Sequence, residues 1–521
     1  MVARLVTARA LMILGTASHV GKSILTTALG RILADEGFRV APFKAQNMSL
    51  NSAATPDGRE IGRAQALQAE ACRVAARAEM NPILIKPSSD CSSQVVVMGR
   101  VWGSVSAADY HQRRVEELFP IVLEAYHALA RDHDIVLLEG AGSPAEINLK
   151  AHDIVNMRMA QAAQAACLLA GDIDRGGVFA SLLGTVELLD PCERALLRGF
   201  VVNKFRGDLS LLTPGIEMIV ERIHLPCAGV IPYLHNLGLD EEDSVAMEER
   251  RTVRRMWSDA PDGPSRPLRV GVIAFPYMAN FTDFDALAAE PSVSLAFLEE
   301  PADVQRADLL ILPGSKQTLD DLAWLRRRGF EPAIRSFRGR AGIAGICGGM
   351  QMLGRGIDDP HGSENHGLPR QHPGLGLLPI HTILRPEKIT RQVRGRIRTV
   401  PWADMEPSAV AFEGYEIHLG ETVYEPGVEP FSEIRRNGET RDHADGAAAG
   451  AVFGTYVHGI FGNDAFRHNV IRAARSACGL APPESLACVT ADRDRRIDRL
   501  ADHVRRAIDM PFIYACLGVR P

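Results

Sequence analysis

Short aliphatic runs, each followed by an alanine-rich stretch with helical spacing, alternate along most of the sequence. This alternation is typical of parallel β-sheets whose faces are covered by helices. A first series of predicted strands comprises Leu11 to Leu14, Arg39 to Phe43, Ile135 to Leu138, Ala166 to Ala170, Gly199 to Val202 and Cys227 to Ile231. A second series comprises Leu268 to Ala274, Leu309 to Leu312, Gly342 to Ile346 and Ala451 to Tyr456. We therefore predict an α/β protein with two sheet domains.

The break between the two series predicts the domain boundaries. Residues 241–267 are first charged and then rich in proline and glycine, which is typical of a chain segment between domains. We place a first domain at residues 1–245, a linker at 246–267, a second domain at 268–480 and a C-terminal helical extension at 481–521. The polar stretch 355–375 is predicted to be a loop.

Composition excludes several classes of protein. The 58 Lys and Arg against 64 Asp and Glu give a net charge of −6, which argues against a nucleic-acid partner. No apolar run approaches the roughly 20 residues of a membrane-spanning helix, so we expect no membrane partner. The nine cysteines are scattered without a CxxC pair, which indicates reduced thiols and a cytoplasmic location. The oligomeric state is left open.

A glycine-containing loop follows the first predicted strand and precedes a predicted helix: Gly15-Thr-Ala-Ser-His-Val-Gly21-Lys22-Ser23. This order is that of a phosphate-binding loop. We expect Gly15, Thr16 and Gly21 to contact phosphates through the backbone, Lys22 to bind the β- and γ-phosphates, and Ser23 to ligate Mg²⁺. Because Thr16 stands where the usual motif has its first glycine, the loop resembles the dethiobiotin synthetase-like branch of P-loop proteins, and ATP is the expected nucleotide.

Polar residues follow three other predicted strands of the first series. Glu139 is the candidate second ligand of Mg²⁺, since triphosphate-bound Mg²⁺ usually recruits one or two carboxylates. Asp172 and Asp174 lie at the carboxyl edge of a strand and are candidates to bind metal or substrate. Asn203-Lys204, after the strand Gly199 to Val202, resembles the base-recognition position of related nucleotide-binding proteins, and we include Asn203 among the nucleotide-binding candidates.

A second candidate site is a cysteine in a strand–turn–helix setting. Cys347 has glycines two residues before and two residues after it, which is the layout of an elbow that exposes a nucleophile above a sheet. The start of a helix lowers the pKa of a thiol and so raises the thiolate fraction. We therefore expect Cys347 to be a nucleophile.

The thiol needs a base and a site for the developing oxyanion. His458 directly follows a predicted strand and is the preferred base, with His418 as its competitor. The turn at Gly314 offers backbone N–H groups that can stabilise an oxyanion. Gly349 and Gln351, next to the thiol, are further substrate or oxyanion candidates.

An acyl-transferring thiol and a triphosphate site in one chain together suggest glutamine-dependent amidation of a carboxylate. Blocks over nearly the whole chain resemble the cobyric acid synthase family. The blocks are Gly15 to Ser23, Lys44 to Ser49, Glu60 to Ala66, Glu139 to Ser143, Asp172 to Phe179, Asn203 to Asp208, Pro313 to Thr318, Gly345 to Gln351 and Tyr456 to His458.

The resemblance implies a P-loop domain of the dethiobiotin synthetase-like type followed by a class I glutamine amidotransferase domain. It implies ATP-dependent amidation of four peripheral carboxylates (b, d, e, g) of a corrinoid, adenosylcobyrinic acid a,c-diamide, with glutamine or ammonia as nitrogen donor. It also implies that Cys347 and His458 form the glutaminase pair. Related amidotransferases mostly read His-x-Glu, whereas Gly459 and Ile460 follow the histidine here. Either a carboxylate elsewhere, such as Glu416, orients His458, or the site is a dyad; we expect little dependence on such a carboxylate.

Three alternatives stay open from the sequence. A cobyrinic acid a,c-diamide synthase, or another ATP-dependent glutamine amidotransferase, would carry out the same chemistry on other carboxylates. A nucleotide switch of the partitioning-ATPase type would need only the first domain and no thiol elbow. A thiol hydrolase with an accessory ATPase would show no ATP-stimulated glutaminase activity.

Overall fold

The computed structural model describes residues 8–87, 92–106, 110, 114–234, 239, 257, 263–337, 341–364, 367–399 and 411–520. The chain divides into two compact units. The first unit comprises Met1–Ser49, Ile61–Leu239 and Arg493–Pro521; the second unit comprises Leu50–Glu60 and Asp240–Asp492. Only residues 257 and 263–267 of the linker predicted at 246–267 are described, and the sequence-based domain boundaries stay a prediction.

The first unit is built on a six-stranded parallel sheet. Its strands lie in the spatial order Cys227–Pro232, Leu197–Phe205, Ala166–Asp172, Arg9–Gly15, Ile135–Glu139 and Val40–Phe43. All six predicted strands are thus confirmed. Because the strands are parallel, their carboxyl ends share one edge, where ligands bind in open α/β sheets.

Helices cover both faces of this sheet, as the alternation predicted. They are Lys22–Asp35, Arg63–Ala71, Phe119–Asp132, Met157–Ala163, Val178–Leu188, Pro191–Arg194, Leu209–Ile223 and Met510–Leu517, with Val489–Arg505 crossing the boundary between the units. One apolar cluster joins the helix Lys22–Asp35 to the two C-terminal helices, through residues such as Leu29, Leu500 and Ile513. A second cluster fills the opposite face of the sheet. The first unit also contains a smaller sheet of Gln46–Met48, Ile83–Pro87, Ser92–Val97 and Arg100–Ser106.

The main sheet of the second unit has six strands in the order Val293–Leu298, Leu268–Ile273, Leu309–Leu312, Gly342–Ile346, Val452–Thr455 and Ala447–Ala449. The first five are parallel, and the last is antiparallel. The four strands predicted from the sequence are confirmed. The helices of this unit are Asp285–Ala288, Pro301–Val304, Thr318–Arg327, Phe330–Phe337, Gly348–Leu353 and Asp464–Ala477.

A second sheet of the second unit was not expected. It contains Arg370–Pro373, Gly356–Asp359, Ile380–Ile397, Ala411–Tyr424, Ser432–Arg436 and His443–Asp445. The loop predicted at 355–375 is therefore partly wrong, since two short antiparallel strands lie within it. The sequences of these two strands lack the alternation of apolar and polar residues that indicates a strand. They are extended because Gly356–Asp359 pairs with Arg370–Pro373 on one side and with Ile380–Ile397 on the other. Within the described residues, no helix is both long and apolar enough to span a bilayer.

Candidate functional site

The loop after the first strand folds around the Lys22 side chain. Its ammonium donates to the carbonyl oxygens of Ala17, at 2.9 Å, and Gly142, at 3.0 Å. Gly21 has φ 95°, and a Cβ there would lie 2.1 Å from Nδ2 of Asn203. Only glycine meets both conditions, which explains why the motif has Gly at this position.

A buried carboxylate faces the loop from the neighbouring strand. Glu139 Oε1 accepts hydrogen bonds from Ser23 Oγ and Lys44 Nζ, each at 2.8 Å, and Oε2 accepts one from Gln68 Nε2. Burial raises the pKa of Glu139, but Lys44, Ser23 and Gln68 outweigh it and hold that pKa below its ordinary value. Glu139 is therefore ionised beside the hydroxyl that the motif offers to a metal ion.

Two of the other predicted residues of the first unit, Asn203 and Asp172, support the phosphate loop, and Asp174 does not. Asn203 donates from Nδ2 to the carbonyl oxygen of Val20 at 2.8 Å. Asp172 Oδ2 accepts from Lys204 Nζ at 2.9 Å, and Lys204 also donates to a loop carbonyl. Asp174 instead pairs with Arg206 at 3.0 Å, both partners being partly exposed. The binding roles assigned to Asn203, Asp172 and Asp174 stay predictions.

A cavity of about 560 Å³ opens beside the phosphate loop. Gly142, whose carbonyl accepts from Lys22, contributes to its wall. The wall combines apolar side chains, among them Met48 and Leu149, with charged side chains of both signs. Lys150 and Arg158 are its cations, and Lys150 is already paired with Glu193 of the same wall, Nζ to Oε2 at 2.6 Å. Such a mixed lining suits a large, partly apolar ligand that carries polar groups.

Cys347 occupies a strained turn between the strand Gly342–Ile346 and the helix Gly348–Leu353. Its backbone has φ 50° and ψ −110°, a combination that non-glycine residues rarely adopt and that occurs at nucleophile elbows. The turn is tightly packed, since a Cβ at Gly349 would lie 2.0 Å from the carbonyl oxygen of Leu312. The flanking glycines thus permit the turn, as the sequence predicted.

His458 lies against Cys347, and its other side meets an unexpected carboxylate. Nδ1 of His458 is 2.7 Å from Oδ2 of Asp283, whose Oδ1 accepts from the backbone N–H of Gly459 at 2.9 Å. The thiol of Cys347 is within hydrogen-bonding reach of the imidazole. Burial lowers the pKa of His458, but Asp283 and then Cys347 outweigh burial and raise that pKa to about 10. The imidazole is therefore protonated at neutral pH.

The carboxylate named from the sequence was the wrong one. Glu416 Oε2 accepts from Arg436 at 2.7 Å, and Oε1 lies 3.1 Å from Nε2 of His418. His418 is thus engaged with Glu416 and stacks on Tyr456, with ring centroids 3.7 Å apart. The geometry also differs from a dyad, because Asp283 binds His458 directly. How strongly glutamine hydrolysis depends on a carboxylate stays a prediction.

Two of the remaining predicted residues border the thiol. A Cβ at Gly314 would lie 3.2 Å from His458 Cε1 and 3.8 Å from Cys347 Cβ, so this turn faces the pair. Gly349 belongs to the first turn of the helix, where backbone N–H groups have no helical acceptor. Gln351 is buried farther along the helix, with Nε2 3.5 Å from the Tyr456 hydroxyl.

Sequence reasoning missed Asp283, Lys44 and Gln68. Lys44 follows a predicted strand at the same edge as the phosphate loop, and this position was a signal that could have identified it. Asp283 lies in a short turn about ten residues after the strand Leu268–Ile273 and 175 residues from His458. No motif spacing identifies such a residue.

A strained thiol paired with histidine in one unit and a phosphate loop in the other define the class: a glutamine amidotransferase joined to a nucleotide-binding domain. Residues 269–466 match a family model described as the CobB/CobQ-like glutamine amidotransferase domain. Residues 11–245 match the CobQ/CobB/MinD/ParA nucleotide binding domain. The chain is an enzyme, a glutamine-hydrolysing amidating ligase.

Curated relatives identify the particular family. Cobyric acid synthases of Moorella thermoacetica and Nitratidesulfovibrio vulgaris are each 46% identical, over 98% of this chain and 98% of theirs. The cobyric acid synthase of Desulforudis audaxviator is 48% identical over 98% of this chain and all of its own. The chain belongs to the cobyric acid synthase family, which confirms the resemblance and leaves the lone nucleotide switch without support.

Proposed function

We propose that this enzyme amidates four peripheral carboxylates (b, d, e, g) of adenosylcobyrinic acid a,c-diamide, using ATP and glutamine, to give adenosylcobyric acid in cobalamin biosynthesis. The observation that carries the proposal is the presence, in one chain, of a Cys347–His458–Asp283 arrangement and a phosphate loop. The first site supplies ammonia, and the second activates a carboxylate. Family membership supports the choice of corrinoid as substrate.

Ammonia arises by acyl transfer to Cys347. The thiolate attacks the side-chain amide carbon of glutamine, while N–H groups near Gly314 and Gly349 stabilise the oxyanion. The imidazolium of His458 gives its proton to the departing nitrogen, and ammonia leaves a glutamyl thioester. His458, now neutral, takes a proton from water, which attacks the thioester and releases glutamate. Asp283 fixes the tautomer of His458 when the imidazole is neutral and stabilises it when it is protonated.

Carboxylate activation occurs at the phosphate loop. A substrate carboxylate oxygen attacks the γ-phosphorus of ATP, giving an acyl phosphate and ADP, and ammonia then displaces inorganic phosphate to form the amide. Lys22 compensates the charge on the transferred phosphoryl group. The hydroxyl of Ser23 and the ionised Glu139 are oxygen ligands of the kind that Mg²⁺ prefers. They would hold this ion, which neutralises triphosphate charge.

The cavity beside the loop is the proposed corrinoid site. Met48 and Leu149 are exposed apolar residues of its wall, and they can pack against a macrocycle. Arg158 is a cation of the wall that can attract its carboxylates, whereas Lys150 already pairs with Asp190 and Glu193. Gly142 belongs both to this wall and to the Lys22 contacts, so a carboxylate in the cavity lies near the phosphoryl group to be transferred.

The experiment that tests the proposal is a product count. The purified protein is incubated with adenosylcobyrinic acid a,c-diamide, ATP, Mg²⁺ and glutamine, and the corrinoid is followed by mass spectrometry. We expect four added amides, none without ATP, and release of glutamate. A corrinoid that keeps its starting mass would contradict the proposal. So would amidation at positions a and c when cobyrinic acid is supplied in place of the a,c-diamide.

A further inference from the structure

Segment Leu50–Glu60 belongs to the second unit, although it lies within the first half of the sequence. It forms a hairpin whose turn is closed by two backbone bonds, Gly58 N–H to Thr55 O at 3.0 Å and Thr55 N–H to Arg59 O at 2.8 Å. The chain before Leu50 and after Glu60 belongs to the first unit. The second unit is therefore not built from one continuous stretch of sequence.

The start of the hairpin exchanges hydrogen bonds with the turn that carries Asp283. The N–H of Ser52 donates to Oδ1 of Asn280 at 2.9 Å, and the N–H of Phe281 donates to Oδ1 of Asn51 at 3.1 Å. Asn280 has a left-handed backbone with φ 53°, and the 3₁₀ turn Phe281–Phe284 begins directly after it. This reciprocal pair of bonds therefore holds the turn three residues before the carboxylate on His458.

The hairpin also supports His458 indirectly, through Tyr415. Ala54 is buried in an apolar cluster with Tyr415 and Ile417. The Tyr415 ring stacks on the His458 imidazole, with centroids 5.4 Å apart and planes at 24°. The backbones of Tyr415 and His458 exchange hydrogen bonds at 2.9 and 3.2 Å. One hairpin thus supports both the carboxylate and the imidazole of the catalytic group.

Further contacts fix the hairpin in one place. The buried Glu60 accepts from Ser52 Oγ at 2.9 Å and from Lys388 Nζ at 2.6 Å. Gly58 has φ +77°, and a Cβ there would lie 3.0 Å from the Thr390 carbonyl oxygen as well as 2.2 Å from Arg391 Nη1, so a larger residue at the tip would be strained. The buried ion pair and this close approach hold the hairpin in one register.

We infer that segment Leu50–Glu60 is a positioning element of the glutaminase, in which Asn51 and Ser52 hold the Phe281–Phe284 turn so that Asp283 meets His458. This rests on the proposed roles of Cys347 and His458. Its consequence is that glutamine hydrolysis depends on a piece of chain whose two ends continue into the nucleotide-binding unit.

The test removes the acceptor on Asn280 without straining the backbone. Asn280→Gly keeps the left-handed conformation, and Asn280→Asp keeps the acceptor oxygen. For Asn280→Gly we expect glutaminase kcat to fall about tenfold with KM for glutamine within about twofold, because the group acts on a catalytic residue and not on substrate. For Asn280→Asp we expect a glutaminase kcat within about threefold of that of the unmodified enzyme. Amidation with ammonium salt is expected to be unchanged in both variants.

A double-mutant cycle separates positioning from general stability. In an Asp283→Asn background, Asn280→Gly is expected to cause no further loss, since its route of action is already absent. In the otherwise unmodified enzyme, Asn51→Ala removes the reciprocal hydrogen bond to the Phe281 N–H, and its glutaminase kcat is expected to fall as it does in Asn280→Gly. Asn437→Ala is the matched control: Asn437 donates to the Pro56 carbonyl at 2.8 Å, at the far end of the same hairpin. The Asn437→Ala variant is expected to keep its glutaminase kcat within about twofold of that of the unmodified enzyme.

Two results would overturn the inference. The first is that Asn280→Gly lowers glutaminase kcat by the same factor in the Asp283→Asn background as in the unmodified enzyme. The second is that both Asn280→Gly and Asn51→Ala have normal glutaminase kcat. Failure of the proposed function has a different signature. In that case Cys347→Ser would retain glutaminase activity, whatever the hairpin variants do.

Discussion

The ionisation of His458 is set by two opposing effects on one side chain. Burial lowers the pKa of His458, whereas the adjacent Asp283 and Cys347 raise it to about 10. In the proposed mechanism, the proton that departing ammonia needs is therefore held on the imidazole throughout the neutral range. Asp283 makes a buried imidazolium possible, which is the usual role of the carboxylate in such triads.

Asp283→Asn is expected to reduce glutaminase kcat at least about 100-fold, in line with the cost of losing this carboxylate in other triads. Without the negative charge, burial dominates and the pKa of His458 falls. The imidazolium is then lost at a lower pH, so the alkaline limb of the pH–rate profile is expected to move to lower pH. Steady-state glutaminase assays from pH 6 to 11 measure both effects.

Glu416→Gln serves as the comparison, because Glu416 is also buried and bonded to a histidine but does not contact His458. Its loss in kcat is expected to be about tenfold or less. Equal losses for the two variants, or an unmoved alkaline limb in Asp283→Asn, would remove Asp283 from the mechanism.

At the scale of elements, the helix Gly348–Leu353 can approach the strand Leu309–Leu312 only because its first residues have no side chains. A Cβ at Gly349 would collide with the backbone of Leu312 and of Pro313, neither of which can move without shifting the sheet. The close approach places the helix start, and with it Cys347, at the carboxyl edge of the sheet. The packing of two elements thus creates the strained turn.

Gly349→Ala is expected to lower the free energy of unfolding by about 3 kcal/mol and to abolish glutaminase activity, because the helix must move away from the strand. Gly184→Ala is the matched change. Gly184 lies inside the helix Val178–Leu188 with open space around its Cα, and alanine there is expected to stabilise by about 0.5–1 kcal/mol. Chemical denaturation of both variants measures the difference, and equal effects would refute the packing argument.

At the scale of the whole molecule, the proposed mechanism assigns ammonia production and carboxylate activation to residues of different units. Cys347→Ser is expected to abolish product formation from glutamine while leaving amidation with added ammonium salt largely intact. The thiolate is needed only to release ammonia. Product formation is measured with each nitrogen donor in turn, and equal loss with both donors in folded protein would contradict the division of labour.

Lys22→Ala is expected to give the opposite result. Without this ammonium the phosphoryl group is no longer held for transfer, so product formation is lost with either donor. Basal glutaminase activity is expected to survive, because Cys347, His458 and Asp283 are untouched. Product formed at an unchanged rate would refute the assignment of the phosphate loop.

The predicted strands and the two site motifs agree with the structure because each is encoded locally. The phosphate loop needs glycine where φ is positive at Gly21, and the elbow needs glycines within two residues of Cys347. Such requirements can be read from about ten consecutive residues. Other features escaped prediction for the converse reason: the extra strands at Gly356–Asp359 and Arg370–Pro373 exist only because distant chain pairs with them.

The sequence by itself determined the α/β class, the phosphate-loop motif and the glycine-flanked turn at Cys347, since periodicity and glycine placement act between near neighbours in the chain. Only the tertiary structure decided which carboxylate binds His458, because Asp283 and His458 are 175 residues apart and meet through the order of strands in the sheet. It also decided that Leu50–Glu60 belongs with the second unit. A buried ion pair and the reciprocal hydrogen bonds of Asn51 and Asn280 hold the segment there, and no local pattern specifies their partners.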